Sequence, residues 1–241
     1  DVILHSQFIP SGGQNEVPSQ PRGPISCELQ CPHRISAQSI AHCGPWVQSD
    51  VIISTEDLEL CSIAKSVGAR VLDRPTKLAQ DETTTAAVAK HVLQQLDPEE
   101  KIYDAICILQ VTSALRRKED ILKSIKMISS RKYDSIISCF ELMNSHPAKQ
   151  YTINEIQGQL IAESILPESH PLQQQHANRH QRAKVYQRNG AIFLVTRKHF
   201  IKTGHLWGGC IGIIKMPFER SIDIDTEDEL KKARFFLEQN N

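Results

Sequence analysis

The sequence predicts an α/β fold: a mostly parallel sheet with helices on both faces, in a single domain spanning residues 1–241. Short runs of aliphatic and β-branched residues alternate along the chain with segments of helical periodicity. Runs such as Ala105-Ile106-Cys107-Ile108-Leu109 are apolar at every position, as in a strand buried on both faces. Polar signatures fall where such strands end, the place where α/β folds bind ligands.

In chain order, Val51-Ile52-Ile53-Ser54 reads as a buried strand, and residues 55–67 carry a helical period through Leu58, Ile63 and Val67. Gly68 stops that helix, and residues 69–72 form a second strand. Residues 83–96 read as a helix closed by Asp97-Pro98. A strand over 105–110, a helix over 117–129 carrying Ile121, Leu122, Ile125 and Ile128, and a strand over 135–140 follow. Two more strands cover 190–196 and 211–216. Ser221-Ile222-Asp223-Ile224-Asp225-Thr226 reads as a short strand entering the last helix, 226–239, and Thr226 and Glu229 have the spacing of a capping box.

Residues 141–186 break the pattern: they are polar, rich in Gln and His, and hold Pro147, Pro167 and Pro171. The stretch is too long for an ordinary connection. It reads either as a surface excursion or as an inserted arm that covers a site or exchanges with a partner subunit. Lys149, Arg179 and Arg182 favour the arm, because a purely solvating excursion needs no particular cations.

Composition narrows the class. With 40% hydrophobic and 23% charged residues the chain is ordinary globular protein. Lys+Arg and Asp+Glu both number 28, so no basic field points to a nucleic acid polymer. No apolar run approaches a membrane span. The first residues lack a basic region followed by an apolar core, so no secretory signal is expected. The seven cysteines mostly sit in apolar runs, as reduced buried thiols do, and the expected location is cytoplasmic, or nuclear in an animal. Cys27, Cys31, His33, His42 and Cys43 match no standard zinc spacing.

The candidate site residues imply an anionic ligand. Asp223 and Asp225, two apart, project from one face of an extended segment. They are either a solvated edge or ligands for Mg²⁺, which takes one or two protein carboxylates and completes its shell with water and phosphate oxygens. Arg74, Arg116, Arg117, Lys149 and Arg179 are each ordinary surface cations taken singly. Several lie where strands end, beside the paired carboxylates, and together they suit a phosphorylated substrate with an acidic co-substrate. Gln110 reads as a helix cap or as a reader of a hydroxyl or amide. Ser11-Gly12-Gly13-Gln14 is a candidate phosphate-cradling turn through its backbone N–H groups.

Six segments, in this order, resemble the acylneuraminate cytidylyltransferases, the CMP-sialic acid synthetases. They are residues 50–55; Leu72-Asp73-Arg74-Pro75 with Leu78-Ala79-Gln80-Asp81; Leu109-Gln110-Val111-Thr112-Ser113-Ala114-Leu115-Arg116; His146-Pro147-Ala148-Lys149; Arg188-Asn189-Gly190-Ala191-Ile192-Phe193; and residues 221–226. The resemblance covers roughly residues 50–236. It implies a Rossmann-like nucleotidyltransferase and a homodimer whose arm, 141–186, helps close the neighbouring site. It implies that CTP and a nonulosonic (sialic) acid give CMP-sugar and pyrophosphate. By the same resemblance Asp225 and Asp223 hold catalytic Mg²⁺ and Arg74 lies by the nucleotide, whose phosphates the Gly12-Gly13 turn is the candidate to cradle. Gln110, Lys149 and Arg179 face the sugar and its carboxylate.

The N-terminus departs from that family, which opens with Ile-Pro-Ala-Arg-Gly-Gly-Ser-Lys-Gly-Ile-Pro. Here Ile9-Pro10-Ser11-Gly12-Gly13-Gln14-Asn15-Glu16-Val17-Pro18 lacks the Arg, has Asn15 in place of Lys, and adds Glu16. Those cations would clamp a triphosphate. A catalytically inactive, sugar-nucleotide-binding paralogue is therefore the alternative to an active enzyme.

Overall fold

The computed structural model describes residues 2–6, 49–66, 69–142, 145–174 and 183–239. The chain divides into two compact units, one of Asp1–Cys139 with Asn189–Asn241 and one of Phe140–Arg188.

The first unit is built on a seven-stranded sheet of order β3-β2-β1-β4-β8-β5-β9. Its strands are β1 (Val2–Ser6), β2 (Ser49–Thr55), β3 (Arg70–Asp73), β4 (Tyr103–Ile108), β5 (Ser135–Glu141), β8 (Tyr186–Thr196) and β9 (Ile211–Lys215). The helices are α1 (Leu58–Ser66), α2 (Thr85–Leu96), α3 (Lys118–Ser129), α5 (Arg197–Thr203) and α6 (Glu227–Gln239); the short α4 lies in the second unit. The α/β class stands as the sequence indicates it, with a sheet that is mixed rather than mostly parallel among the described strands. Within the sheet, β2–β3 and β5–β9 pair in parallel, whereas β1 is antiparallel to β2 and β4, and β8 is antiparallel to β4. The reversal of β8 follows from its connection. The residues after β5 leave the sheet at its carboxyl end, and a hydrogen bond from Leu142 N to Val185 O (2.8 Å) brings the returning chain back at that same end. β8 therefore re-enters in the opposite direction.

The apolar run of β4 is buried on both sides. Ala105, Cys107 and Leu109 pack with Ile121 and Ile128 of α3, with Ile192 and Leu194 of β8 and with Ile214 of β9. Ile106 and Ile108 pack on the other face with Val88, Val92 and Leu93 of α2 and Phe200 of α5. Burying each such aliphatic side chain contributes about 1.5–3 kcal/mol. Cys107 and Cys139 are buried core thiols, as expected, while Cys210 is exposed.

Helix starts are set by caps. Thr84 accepts Ala87 N (3.2 Å) ahead of α2, and Thr196 accepts His199 N (3.3 Å) ahead of α5. Asp57 accepts Glu59 N (2.7 Å) and Leu60 N (3.1 Å), so α1 begins at Leu58 rather than at 55. This corrects one expectation: Leu58, assigned to the inner stripe, is 85% exposed. As the first helical residue above its cap it lies off the packed face, which Ala64 occupies.

The expected strand over 221–226 also differs. Pro217 has no N–H to prolong the β9 ladder, and a 3-10 turn, Phe218–Arg220, redirects the chain. The segment lies outside the sheet and touches the turn after β4 through a backbone bond, Ile224 N to Thr112 O (3.0 Å). The alternation survives: Ile222 is buried and Ile224 partly buried against Leu115, Ala233 and Phe236.

The second unit holds an antiparallel hairpin, β6 (Tyr151–Ile156) and β7 (Gln159–Ser164). Gln157 (φ 53°) and Gly158 (φ 77°) make its turn, the two positive φ values that a tight hairpin needs. The short helix α4 (Pro171–Gln174) packs near the 3-10 turn Pro147–Lys149. This ordered hairpin is absent from the sequence reading of a polar excursion. Its signal was the apolar set Tyr151, Ile153, Ile156, Leu160 and Ile161 around a Gln-Gly turn. Among the described residues no helix is long and apolar enough to cross a membrane.

Candidate functional site

The turn after β4 carries Gln110 and is tied down on two sides. Ser113 Oγ donates to Asn189 O (3.0 Å) at the start of the core part of β8. Arg116 is buried; one Nη donates to Ala191 O (2.6 Å) and the other to Gln110 O. Burial pushes this guanidinium down to about 10, so it stays charged at neutral pH. Sequence reading grouped Arg116 with the strand-end cations; here its bonds go to backbone carbonyls and fix the turn. Gly190 (φ +73°) lies directly behind the Gln110 side chain: a Cβ there would overlap Gln110 Oε1 and stand 3.3 Å from Ser113 Oγ.

The 221–226 segment is fixed against the same turn. Arg220 forms a two-pronged pair with Asp120 at the start of α3, one arm at 3.3 Å. Ser221 Oγ accepts Asn189 Nδ2 (2.8 Å), and Ile224 N reaches Thr112 O. The capping box forms: Glu229 Oε2 accepts Thr226 N (2.9 Å) and Asp225 N (3.1 Å), while Thr226 Oγ1 accepts Glu229 N (3.3 Å). The Thr226 hydroxyl and the Asp225 N–H hold the Glu229 carboxyl below its ordinary value.

Asp223 is half-buried and Asp225 exposed. Asp223 Oδ1 is buried with no hydrogen-bond partner, a costly state for a carboxylate oxygen unless something else meets it. Among the described residues no cluster of three or more His, Cys, Asp or Glu side chains gathers to form a closed metal cage. Two carboxylates with an orphaned oxygen fit Mg²⁺, which keeps most of its shell for water and phosphate.

Arg74 stands at the neighbouring strand ends. Its guanidinium donates to Ser54 O, its backbone N donates to Thr55 O (3.2 Å), and Nε lies 3.6 Å from Glu56 Oε2. With Ser54, Thr55, Asp57 and Val111 it lines a pocket of about 280 Å³. Val111 is the residue after Gln110, so this pocket adjoins the Gln110 turn. Lys149 is exposed in the second unit, where its N–H closes a turn onto His146 O (2.9 Å). Gly12, Gly13 and Arg179 lie outside the described residues, as do Arg182 and Cys27, Cys31, His33, His42 and Cys43.

Sequence reading missed Asn189, Gly190 and Ser221 as parts of this arrangement. The signal was Arg188-Asn189-Gly190: a glycine inside a strand marks a close approach by another group.

A doubly covered sheet that gathers a carboxylate pair, a polar turn and a cation-lined pocket at strand ends defines a nucleotide-handling α/β protein. Residues 36–240 match the family model described as Cytidylyltransferase, and the chain belongs to that family. It is 28% identical over 192 residues to an N-acylneuraminate cytidylyltransferase of Escherichia coli O18:K1:H7, covering 79% of this chain and 42% of that protein. It is 23% identical to a pseudaminic acid cytidylyltransferase of Campylobacter jejuni, covering 80% of this chain and 79% of that protein. The chain thus spans about two fifths of the first relative's length. Among solved structures it is similar to a CMP:2-keto-3-deoxy-manno-octonic acid synthetase complexed with CTP (TM-score 0.58, 13% identity, 95% of each chain). It is also similar to a 4-diphosphocytidyl-2C-methyl-D-erythritol synthase of Anaerococcus prevotii (TM-score 0.56, 12% identity, 86% of each chain). These likenesses show the fold, a central sheet flanked by helices.

Proposed function

We propose that this chain transfers the cytidylyl group of CTP to a nonulosonic acid of the sialic type, giving CMP-sugar and pyrophosphate. The observation that carries the reading is the orphaned, buried Asp223 oxygen, on a segment that Ser221 ties to Asn189 and Ile224 N ties to Thr112 of the Gln110 turn. The names of the relatives support the substrate class.

In this reaction a sugar hydroxyl oxygen attacks the α-phosphorus in line, and the bond to the pyrophosphate oxygen breaks. The transferring group needs position and charge stabilisation rather than covalent help. Asp223 and Asp225 would hold Mg²⁺, which supplies neutralisation of the phosphate charge. Arg74 binds the nucleotide at the pocket by Thr55, and Gln110 orients the sugar with its amide. Lys149 and Arg179 meet the sugar carboxylate. The protein acts as a homodimer in the cytoplasm. Support for the dimer comes from the hairpin: Ile153 (66%) and Leu160 (74%) are exposed on one of its faces, and a lone two-stranded hairpin is marginal in water.

Pyrophosphate release from purified protein with CTP, Mg²⁺ and N-acetylneuraminic acid tests the reading. Turnover should be Mg²⁺-dependent and fall at least about a hundredfold in Asp225→Asn, as when one charge-stabilising group at a transferring centre is lost. Full turnover in Asp225→Asn would sink the assignment. The missing cations between Ser11 and Glu16 favour a second reading, a binding paralogue. Calorimetric binding of CTP without pyrophosphate release would select it.

A further inference from the structure

We propose that Asn189 is the positioning residue that holds the Gln110 turn and the Asp223 segment in register. The proposal rests on the reading of Asp223 and Asp225 as the cation-holding pair.

Asn189 is 5% exposed and every hydrogen-bonding capacity of its amide is used. Oδ1 accepts Ser138 Oγ–H (2.6 Å) and Ala191 N–H (3.3 Å). Nδ2 donates to Ser221 Oγ (2.8 Å) and to Met216 Sδ (3.4 Å). The orientation is fixed, because Ala191 N–H can only donate and so must face the oxygen. Hydroxyl directions agree throughout. Ser138 Oγ accepts Ile192 N–H (2.7 Å) while donating to Asn189, and Ser221 Oγ donates onward to Pro217 O (2.8 Å).

One residue therefore joins three elements. Its amide oxygen anchors it to β5. Its amide nitrogen holds Ser221, two residues before Asp223. Its backbone oxygen accepts Ser113 Oγ–H from the Gln110 turn, and the next residue, Gly190, leaves room for the Gln110 side chain. A buried network with all members satisfied permits one arrangement and resists others. Aspartate would remove the donor to Ser221, and leucine would orphan Ser138 and Ser221 together. The function of this network is to place Asp223 relative to Gln110, hence the cation relative to the sugar.

The test uses the full chain, with Mn²⁺ as the probe and its free concentration read by electron paramagnetic resonance. Variants are Ser221→Ala, Asn189→Ala, Asp223→Asn and, as a control, Asp97→Asn, which lies at the far end of β4. Ser221→Ala and Asn189→Ala should each weaken Mn²⁺ binding about tenfold, the low end of the cost of losing support behind a metal ligand. The two together should weaken it no more than Asn189→Ala alone. Asp97→Asn should lower the melting temperature and leave Mn²⁺ affinity unchanged. If Asn189→Ala does not fold, Ser221→Ala decides alone. Unchanged Mn²⁺ affinity in Ser221→Ala overturns the proposal. If the unmodified chain and Asp223→Asn bind Mn²⁺ alike, the carboxylate reading fails first, and the proposal with it.

Discussion

Replacing Gly190 by alanine separates the backbone of the site from its chemistry. Gly190 sits at φ +73°, where a residue with a Cβ costs about 1–2 kcal/mol. The added Cβ would also overlap Gln110 Oε1, while Ser113 Oγ at 3.3 Å leaves it little room to shift. Gln110 Oε1 is the end of a flexible, half-buried side chain, so the amide swings away at a further cost of about 0.5–1.5 kcal/mol in rotamer strain. The sum, about 1.5–3.5 kcal/mol, corresponds to a fall in melting temperature of roughly 3–14 °C for a chain of this size. Calorimetry on the two proteins measures it. The displaced amide should cost one hydrogen bond to the sugar, raising the sugar KM roughly three- to tenfold. The KM for CTP should stay near its original value, because Arg74 and its pocket are untouched. An unchanged melting temperature would refute the strained-glycine argument. A KM that rose equally for both substrates would refute the sugar-side role of Gln110.

Two further outcomes are expected. Ile153→Lys with Leu160→Lys, on one exposed face of the β6–β7 hairpin, should convert a dimer to a monomer by light scattering; an unmodified chain that is already monomeric at working concentration removes the proposed interface. Asp97 is 1% exposed; burial pushes its carboxyl up, but the N–H groups of Tyr103, Lys101 and Ile102 and the charge of Arg197 outweigh this and leave it below its ordinary value. Its contribution is thus present above the unfolded carboxyl value of about 3.9 and lost as pH falls through the folded one. Asp97→Ala should cost roughly 3–5 kcal/mol near pH 7, since it removes the buried partner of Arg197 and leaves the exposed Glu100 at 3.9 Å. Denaturation curves of the two proteins should converge below about pH 4, and a constant gap across that range would count against the pairing.

How much of the site was legible differs residue by residue. Asp223, Asp225 and Gln110 stood out because few residue types do their chemistry, and spacing places them where strands end. The expected strand around Asp223 does not form, since Pro217 and the turn after it carry the segment off the sheet. Ile222 and Ile224 still alternate inward, because burial against Leu115 and α6 needs the alternation and not the ladder. Leu58 shows the reverse failure: periodicity cannot tell which turn of a helix lies over the core. The hairpin was hidden because its apolar residues remain exposed, and a segment among Gln and His reads as polar when averaged.

The sequence by itself determined the α/β class, most strand and helix positions, and the residue types able to meet a phosphorylated, acidic substrate pair. These are local properties: period, capping and side-chain chemistry act over a few residues. The tertiary structure decided the strand order, the reversed entry of β8, and the junction where Asn189 ties Ser138 of β5 to Ser221 and, through its carbonyl, to Ser113. Those bonds join residues 51, 32 and 76 positions apart. Only when β8 lies between β4 and β5 does one residue come within hydrogen-bond range of all three, and no short-range pattern in the chain encodes that meeting.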